Sequence, residues 1–249
     1  MKMRLDKFIA DYTELTRSQA KKVIRDGAIR VNGTVTKKGD DKVSFSDSIF
    51  WGEQEIRGQQ YQYIMLNKPA GVVSATTDNH DTTVVELLHQ TKPFEGEEEL
   101  SLFAKDLFPM GRLDKDTEGL LILTNDGELA HHILSPKYHV AKTYYVRLDA
   151  DLEASDIEAM KRGLDIGEKR ITKPAELEIL AERECYLTIT EGKFHQVKRM
   201  FAVLGKHVVY LKRMSMGGVV LDEMLPSGGW RFMTEEEIMK LKGDSHGKE

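Results

Sequence analysis

The segment Gly119-Leu120-Leu121-Ile122-Leu123-Thr124 constrains the fold most: it is a near-continuous apolar run, entered from an acid-rich loop and left through Asp126-Gly127. A strand with one wet face alternates apolar and polar residues, whereas an unbroken run belongs to a strand covered on both faces. It falls far short of the roughly 20 apolar residues that cross a bilayer. The chain is therefore expected to bury this strand inside a sheet.

The segments around it supply the rest of that sheet. Tyr63–Leu66 reads as a strand ending in Asn67-Lys68-Pro69, with Gly71–Ser74 continuing it past the proline. Glu128–Leu134 reads as a short helix stopped at Ser135-Pro136, Thr143–Leu148 as an alternating strand, and Asp151–Arg162 as a helix ending at Gly163. Two further strands are expected near Ala175–Leu180 and Cys185–Thr190. A helix runs from His195 to Leu204, with Val197, Met200, Phe201 and Leu204 as its buried stripe and Gly205 as its stop. Thr234-x-x-Glu237 is a capping box that opens a final helix. Residues 89–109, acidic and interrupted by Pro and Gly, read as a loop or surface excursion. Strands with intervening short helices and tight turns predict an α+β fold around a largely antiparallel sheet.

A separate module precedes this domain. Leu5, Phe8, Ile9 and Tyr12 have the spacing of one helix face, and Thr16 with Gln19 forms a capping box that starts a second helix. Ala20, Val23 and Ile24 make the buried side of that helix, and Gly27 sits where a left-handed stop belongs. Arg17, Lys21 and Arg25 recur every four residues and line one exposed stripe. Ile29–Val31 and Thr34–Thr36 flank Asn32-Gly33, a strong hairpin signal. Residues 47–61 are polar, hold two glycines and read as a hinge, although Ile49 and Trp51 could finish a strand of the first module. The division is placed at 1–59 and 60–249.

Charge supports this division. The chain carries a net −5, yet residues 1–42 hold 11 Lys/Arg against 6 Asp/Glu, a basic head on an acidic body. Residues 193–213 form a second basic island: Lys193, Lys198, Arg199, Lys206, Lys212 and Arg213 occur there without one acid. Each island alone also reads as an ordinary solvated face. Two together suit a polyanionic partner.

Several chemistries are excluded by missing motifs. Gly192-Lys193 is followed by Phe and Gly205-Lys206 by His, so no phosphate loop is present. No G-x-G-x-x-G follows a strand, and no G-x-S-x-G elbow exists. His131 and His132 are adjacent and cannot face one metal from one helix side; with His139 they make a poor ligand set. Cys185, the single cysteine, allows neither an internal disulfide nor a cysteine zinc site. The charged N-terminus lacks the apolar core of a secretion signal, so a cytoplasmic protein with no membrane association is expected.

What remains is Gly111-Arg112-Leu113-Asp114-Lys115-Asp116-Thr117-Glu118-Gly119-Leu120-Leu121. On composition alone it reads as turn and capping chemistry. As a signature it resembles the G-R-L-D motif of the RNA pseudouridine synthases, in the branch typified by the small-subunit ribosomal enzyme. Asn67-Lys68-Pro69-x-Gly71, Lys142-Thr143-Tyr144 and the stretch Leu187 to Met200, with Glu191-Gly192-Lys193-Phe194-His195-Gln196-Val197-Lys198-Arg199, match that family's other motifs in order. The N-terminal module is similar to the S4 RNA-binding domain through Arg4-Leu5-Asp6-Lys7-Phe8, Ser18-Gln19-Ala20 and Gly27 to Gly33. Residues 89–109 depart from the family by their length.

The resemblance implies an S4 domain followed by a catalytic domain with a mixed, largely antiparallel sheet. It implies an enzyme that breaks the uridine N1–C1′ bond, turns the base and joins C5 to C1′. No oxidation, reduction or hydrolysis takes place, so the resemblance implies an enzyme that needs no metal or organic cofactor. By this resemblance Asp114 is the catalytic carboxylate, Arg199 its cationic partner, and Tyr144 the residue that stacks on the uracil and helps take the C5 proton. Arg112, Lys142, Lys193, Gln196, Lys198, Arg4, Lys7, Arg17, Lys21 and Arg25 are the expected RNA contacts. The implied partner is ribosomal RNA, either small-subunit rRNA or its assembly intermediate, acted on by a monomer at uridine 516 of 16S rRNA. The competing readings are a large-subunit rRNA enzyme of the same family, a non-catalytic rRNA-binding assembly factor and a two-carboxylate glycoside hydrolase.

Overall fold

The computed structural model describes residues 2–56, 58, 61–94, 106–135 and 137–243. They fall into two compact units, the first reaching Gln62 and the second beginning at Tyr63.

The first unit starts with β1 (Lys2–Arg4) and α1 (Leu5–Asp11), then α2 (Arg17–Arg25), β2 (Ile29–Val31), β3 (Thr34–Val35), β4 (Lys42–Ser44), β5 (Ile49–Trp51) and β6 (Gln54–Glu55). Leu5, Phe8 and Ile9 of α1 meet Ala20 and Ile24 of α2 over Ile29, Val43 and Ile49, a core set by the helical period of both segments. The capping box forms as its residues demand: the Thr16 hydroxyl accepts from Gln19 N, and Thr16 N donates to Oε1 of Gln19. Asn32 and Gly33 have φ of 50° and 80°, the pair of left-handed residues a two-residue hairpin needs.

Part of the stretch expected to be a hinge is sheet. β5 pairs β2 and turns through Gly52 into β6, giving the order β3-β2-β5-β6. Gly52 makes a hairpin turn rather than a linker, so the reading in which Ile49 and Trp51 complete a strand is the one the fold adopts.

The second unit comprises β7 (Tyr63–Lys68), α3 (Val84–Gln90), β8 (Phe108–Pro109), β9 (Glu118–Thr124), α4 (Gly127–Leu134), β10 (Lys142–Leu148) and α5 (Ala154–Arg162). It continues through β11 (Glu176–Ala181), β12 (Glu184–Ile189), α6 (Gln196–Val203), β13 (Val208–Met216), β14 (Val219–Val220), β15 (Trp230–Phe232) and α7 (Glu235–Gly243). One mixed sheet runs β11-β12-β10-β13-β9-β7-β15, with β14 added beside β13 and β8 beside β9. Only the β13–β9 pair among these is parallel. The apolar run is the inner strand β9, and residues 119–124 are all buried.

Three sequence expectations change. Gly71–Ser74 does not prolong β7: Pro69 has no N–H for the ladder, and Gly71 N donates to Lys115 O instead. The helix expected from Asp151 begins at Ala154, where Glu153 N is capped by Asp156. The basic island is not one surface feature, because it holds both α6 and the inner strand β13. Residues 95–105 of the acidic stretch lie outside the described residues, while α3 enters its start and β8 closes its end.

At the entry to β9 the chain tolerates only glycine. Gly119 has φ of +100°, and a Cβ there would lie 2.3 Å from Arg213 O. The backbones of β9 and β13 meet at this point, which fixes the acidic loop against the strand that carries Arg213.

Candidate active site

The loop before β9 is tied down by backbone contacts. Leu113 N donates to Ser74 Oγ, which donates back to Leu113 O, and Thr117 N donates to Asp114 O. Lys68 ends β7 fully buried, its ammonium donating to the carbonyls of Pro69, Lys115 and Thr117. Burial pushes this lysine down to about 8, against the opposing pull of Asp116, Glu118 and Asp114. One cation thus gathers three carbonyls around the turn that presents Asp114.

Asp114 faces α6. Its Oδ2 is 3.3 Å from Lys198 Nζ and its Oδ1 is 3.5 Å from His195 Nε2. Lys198 also donates to Asp116 Oδ1 at 2.6 Å, and this hydrogen bond holds the Asp116 carboxyl below the usual range. Asp114 opens onto a cleft of about 600 Å³, shared with Arg112, Lys142, Tyr144, Phe194 and Arg213.

Tyr144 and Arg213 are register partners on β10 and β13, next to a bulge between Thr143 and Tyr144. Tyr144 is 8% exposed and Arg213 2%. Arg213 Nε donates to Leu120 O, and no described residue accepts from its Nη2. Among the described residues Lys142 Nζ donates to Val140 O; burial, with Arg213 adding repulsion, pushes it down to about 8. The cleft therefore sets two carboxylates, Asp114 and Glu191, one tyrosine and several cations around a space that suits an anionic ligand.

Arg199 does not stand beside Asp114. Its Nη1 donates to Glu168 Oε1 and Phe194 O, and its Nη2 to Ile166 O, so it ties α6 to the segment after α5. The cause is helical phase. Adjacent residues on a helix are separated by about 100°. With His195 as the left-handed N-cap, Lys198 points at the acidic loop and Arg199 away from it. The pairing expected of Arg199 is made by Lys198.

The other expected contacts divide. Arg112, Lys142 and Lys198 line the cleft. Lys193 and Gln196 line it too but are engaged internally: Lys193 Nζ donates to Arg170 O and Ile171 O, and Gln196 bonds Glu191 Oε1 and Lys193 N. In the first unit Arg4, Arg17 and Lys21 converge on the fully buried Asp6, at 2.9, 3.3 and 3.9 Å. Lys7 pairs with Asp11, and Arg25 is exposed.

Sequence reasoning missed His195, Arg213 and Asp6. Arg213 carried a signal, since period-2 alternation puts it on the buried side with Leu211. Asp6 carried one as well: an acid on the apolar face of α1 needs a cation nearby. Among the described residues no group of three or more His, Cys, Asp or Glu is placed to hold a metal ion. No described helix is long and apolar enough to cross a membrane.

Comparison with known proteins accounts for this arrangement. Residues 62–203 match the RNA pseudouridylate synthase family and residues 3–49 match the S4 domain. The Ribosomal small subunit pseudouridine synthase A of Haemophilus influenzae is 45% identical, covering 96% of this chain and 99% of that protein. The protein of the same description from Escherichia coli K12 is 39% identical over 96% of this chain and all of its own length. A solved structure described as pseudouridylate synthase is 44% identical, covers 96% of this chain and 99% of its own, and superposes with a TM-score of 0.65. With the G-R-L-D loop, the paired carboxylate and the buried tyrosine on one cleft, the chain belongs to the RNA pseudouridine synthase family and carries an S4 domain at its N-terminal end.

Proposed function

We propose that this enzyme converts one uridine of small-subunit ribosomal RNA to pseudouridine, at uridine 516 of 16S rRNA. The observation that carries the reading is the Asp114 carboxylate, held at the mouth of the cleft by Lys198 and facing the same space as Tyr144. The names of relatives support the target, since those from Haemophilus influenzae and Escherichia coli K12, 45% and 39% identical over nearly their whole length, are described as small-subunit enzymes.

In this reading the target uridine leaves its stack and enters the cleft, at a cost of a few kcal/mol that phosphate contacts offset. Asp114 meets the nucleoside as an ionised carboxylate. Lys198 compensates that charge, which would otherwise be costly in a partly closed site. The N1–C1′ bond breaks, the uracil turns and C5 bonds to C1′. C5 gives up its proton and N1 ends protonated, so atoms and electrons balance without a second reactant. Tyr144 stacks on the base and helps remove that proton. Lys142 and Arg112 contact the RNA around the cleft. Residues 1–59 serve as the RNA-gripping domain through Arg4, Lys7, Arg17, Lys21 and Arg25, and 60–249 as the catalytic domain. The chain works as a cytoplasmic monomer on small-subunit rRNA or its assembly intermediate.

The test is chemical mapping of pseudouridine in 16S rRNA incubated with the wild type and with Asp114→Asn. The wild type is expected to modify uridine 516, and the variant to bind rRNA with nearly unchanged affinity and modify nothing. Modification by the variant removes Asp114 from the chemistry, and modification elsewhere overturns the target.

A further inference from the structure

The cleft carries two aromatic side chains of opposite burial. Tyr144 is 8% exposed, whereas Phe194 is 71% exposed although it lines the same cleft. Phe194 is not a loosely hung surface residue. Its ring lies flat on His195, centroids 3.8 Å apart with 19° between the planes. His195 in turn places Nε2 3.5 Å from Asp114 Oδ1.

The backbone on either side is fixed as well. Phe194 O accepts from Arg199 at 3.1 Å, Lys193 N donates to Gln196 Oε1, and Lys193 Nζ is tied to the carbonyls of Arg170 and Ile171. His195 holds φ of 48°, a left-handed conformation uncommon outside glycine, which sets the angle at which the ring pair leaves the helix start. A large apolar ring left 71% exposed gains little from the burial of its surface. It is positioned for a ligand.

We propose that Phe194 is a stacking platform for the RNA base next to the target uridine. This rests on the reading of the chain as an enzyme acting on folded RNA. Extruding one nucleotide strips its neighbour of a stacking partner. Any base offers a flat π-face to an aromatic ring, and the surroundings here favour a polyanion: Arg112, Lys142, Lys193, Lys198 and Arg213 line the same cleft against Asp114 and Glu191. The buried Tyr144 takes the extruded uracil, and the exposed Phe194 takes the base left behind. Phe194 then helps decide which RNA contexts are accepted, because stacking strength depends on the neighbouring base.

The experiment uses the full chain with small-subunit rRNA transcripts and three variants, Phe194→Ala, Phe194→Leu and Phe194→Trp. Ala and Leu are expected to raise KM for the transcript about tenfold, with the single-turnover rate at saturating RNA unchanged. Trp, which keeps an aromatic face, is expected to restore wild-type KM. Unchanged KM in Phe194→Ala overturns the proposal. So does a Leu variant equal to wild type, which would make the residue mere apolar packing. A fall in the saturated rate at constant KM also overturns it, because Phe194 would then act by holding His195 beside Asp114. Wild-type activity separates this from failure of the parent reading: if the wild type forms no pseudouridine, equilibrium binding of the four proteins to the same transcript is expected in the same order, and equal affinities sink the platform.

Discussion

The Lys198 ammonium stands 3.3 Å from Asp114 Oδ2, and the same nitrogen donates to Asp116 Oδ1 at 2.6 Å. One cation thus serves two carboxylates of one loop, and its closer bond is to the acid further out in solvent. Asp116 anchors the lysine, and the anchored lysine compensates Asp114.

Replacing Lys198 by Met is expected to cost about 2 kcal/mol of transition-state stabilisation, roughly a 30-fold fall in the single-turnover rate. That is below the 3–5 kcal/mol of a fully buried pair because both side chains keep some water. Lys198→Arg should recover part of the rate. Asp116→Asn should lower it less than Lys198→Met, since the cation survives but loses its anchor. Rapid-quench measurement of pseudouridine at saturating rRNA checks the order.

The lowered pKa of Lys142, about 8, gives a pH prediction. A base with a depressed pKa is charged below that value and neutral above it, while ordinary lysines keep their charge until near 10.5. If Lys142 grips RNA, kcat/KM should fall between about pH 7 and about pH 9 through loss of affinity, whereas kcat holds. Lys68 titrates in the same range. Lys142→Met therefore decides: it should start with lower affinity and lack the alkaline fall.

Lys68 predicts a structural rather than a kinetic loss. Lys68→Met removes a charged donor from three carbonyls, and urea unfolding should show about 2–3 kcal/mol of destabilisation. A loss well under about 1 kcal/mol would mean that the loop presenting Asp114 is held by Ser74 and Gly71 instead.

In the S4 unit the organising residue is an acid. Hydrogen bonding to Arg4, with Arg17 adding its charge, holds the Asp6 carboxyl below its ordinary 3.8. A depressed carboxyl contributes fully above the unfolded value and loses that contribution as pH falls below about 4. Asp6→Asn should cost about 1–3 kcal/mol at neutral pH, flatten the acid limb of the stability curve and weaken rRNA binding, because Arg4, Arg17 and Lys21 lose their common anchor. Chemical denaturation across pH and filter binding at fixed salt test the two parts.

Much of this was legible in the residues. The unbroken run at 119–124 gave the inner strand, the Thr16/Gln19 and Thr234/Glu237 pairs gave two helix starts, and Asn32-Gly33 gave its hairpin. The motif residues Asp114 and Tyr144 do share one cleft. Illegible features came from tertiary choices that local pattern does not encode. A left-handed N-cap at His195 set the phase that turns Lys198, and not Arg199, toward the loop. A buried arginine on β13 disguised an inner strand as part of a basic surface. Pro69 and Gly71 looked like an interrupted strand because their real partner, the loop at Lys115, lies more than forty residues further along.

The contact at Gly119 has a mechanical consequence. Main chain lies against main chain there, and Gly119 and Arg213 are register partners, so moving the Asp114 loop away from the Arg213 strand means breaking the β9–β13 pairing. The floor of the cleft behaves as a rivet. Whatever adjustment admits a nucleotide must come from parts hung around that fixed point, such as the α6 start and the segment that Arg199 holds, and variants that loosen those parts should alter entry and release before they alter the bond-making step.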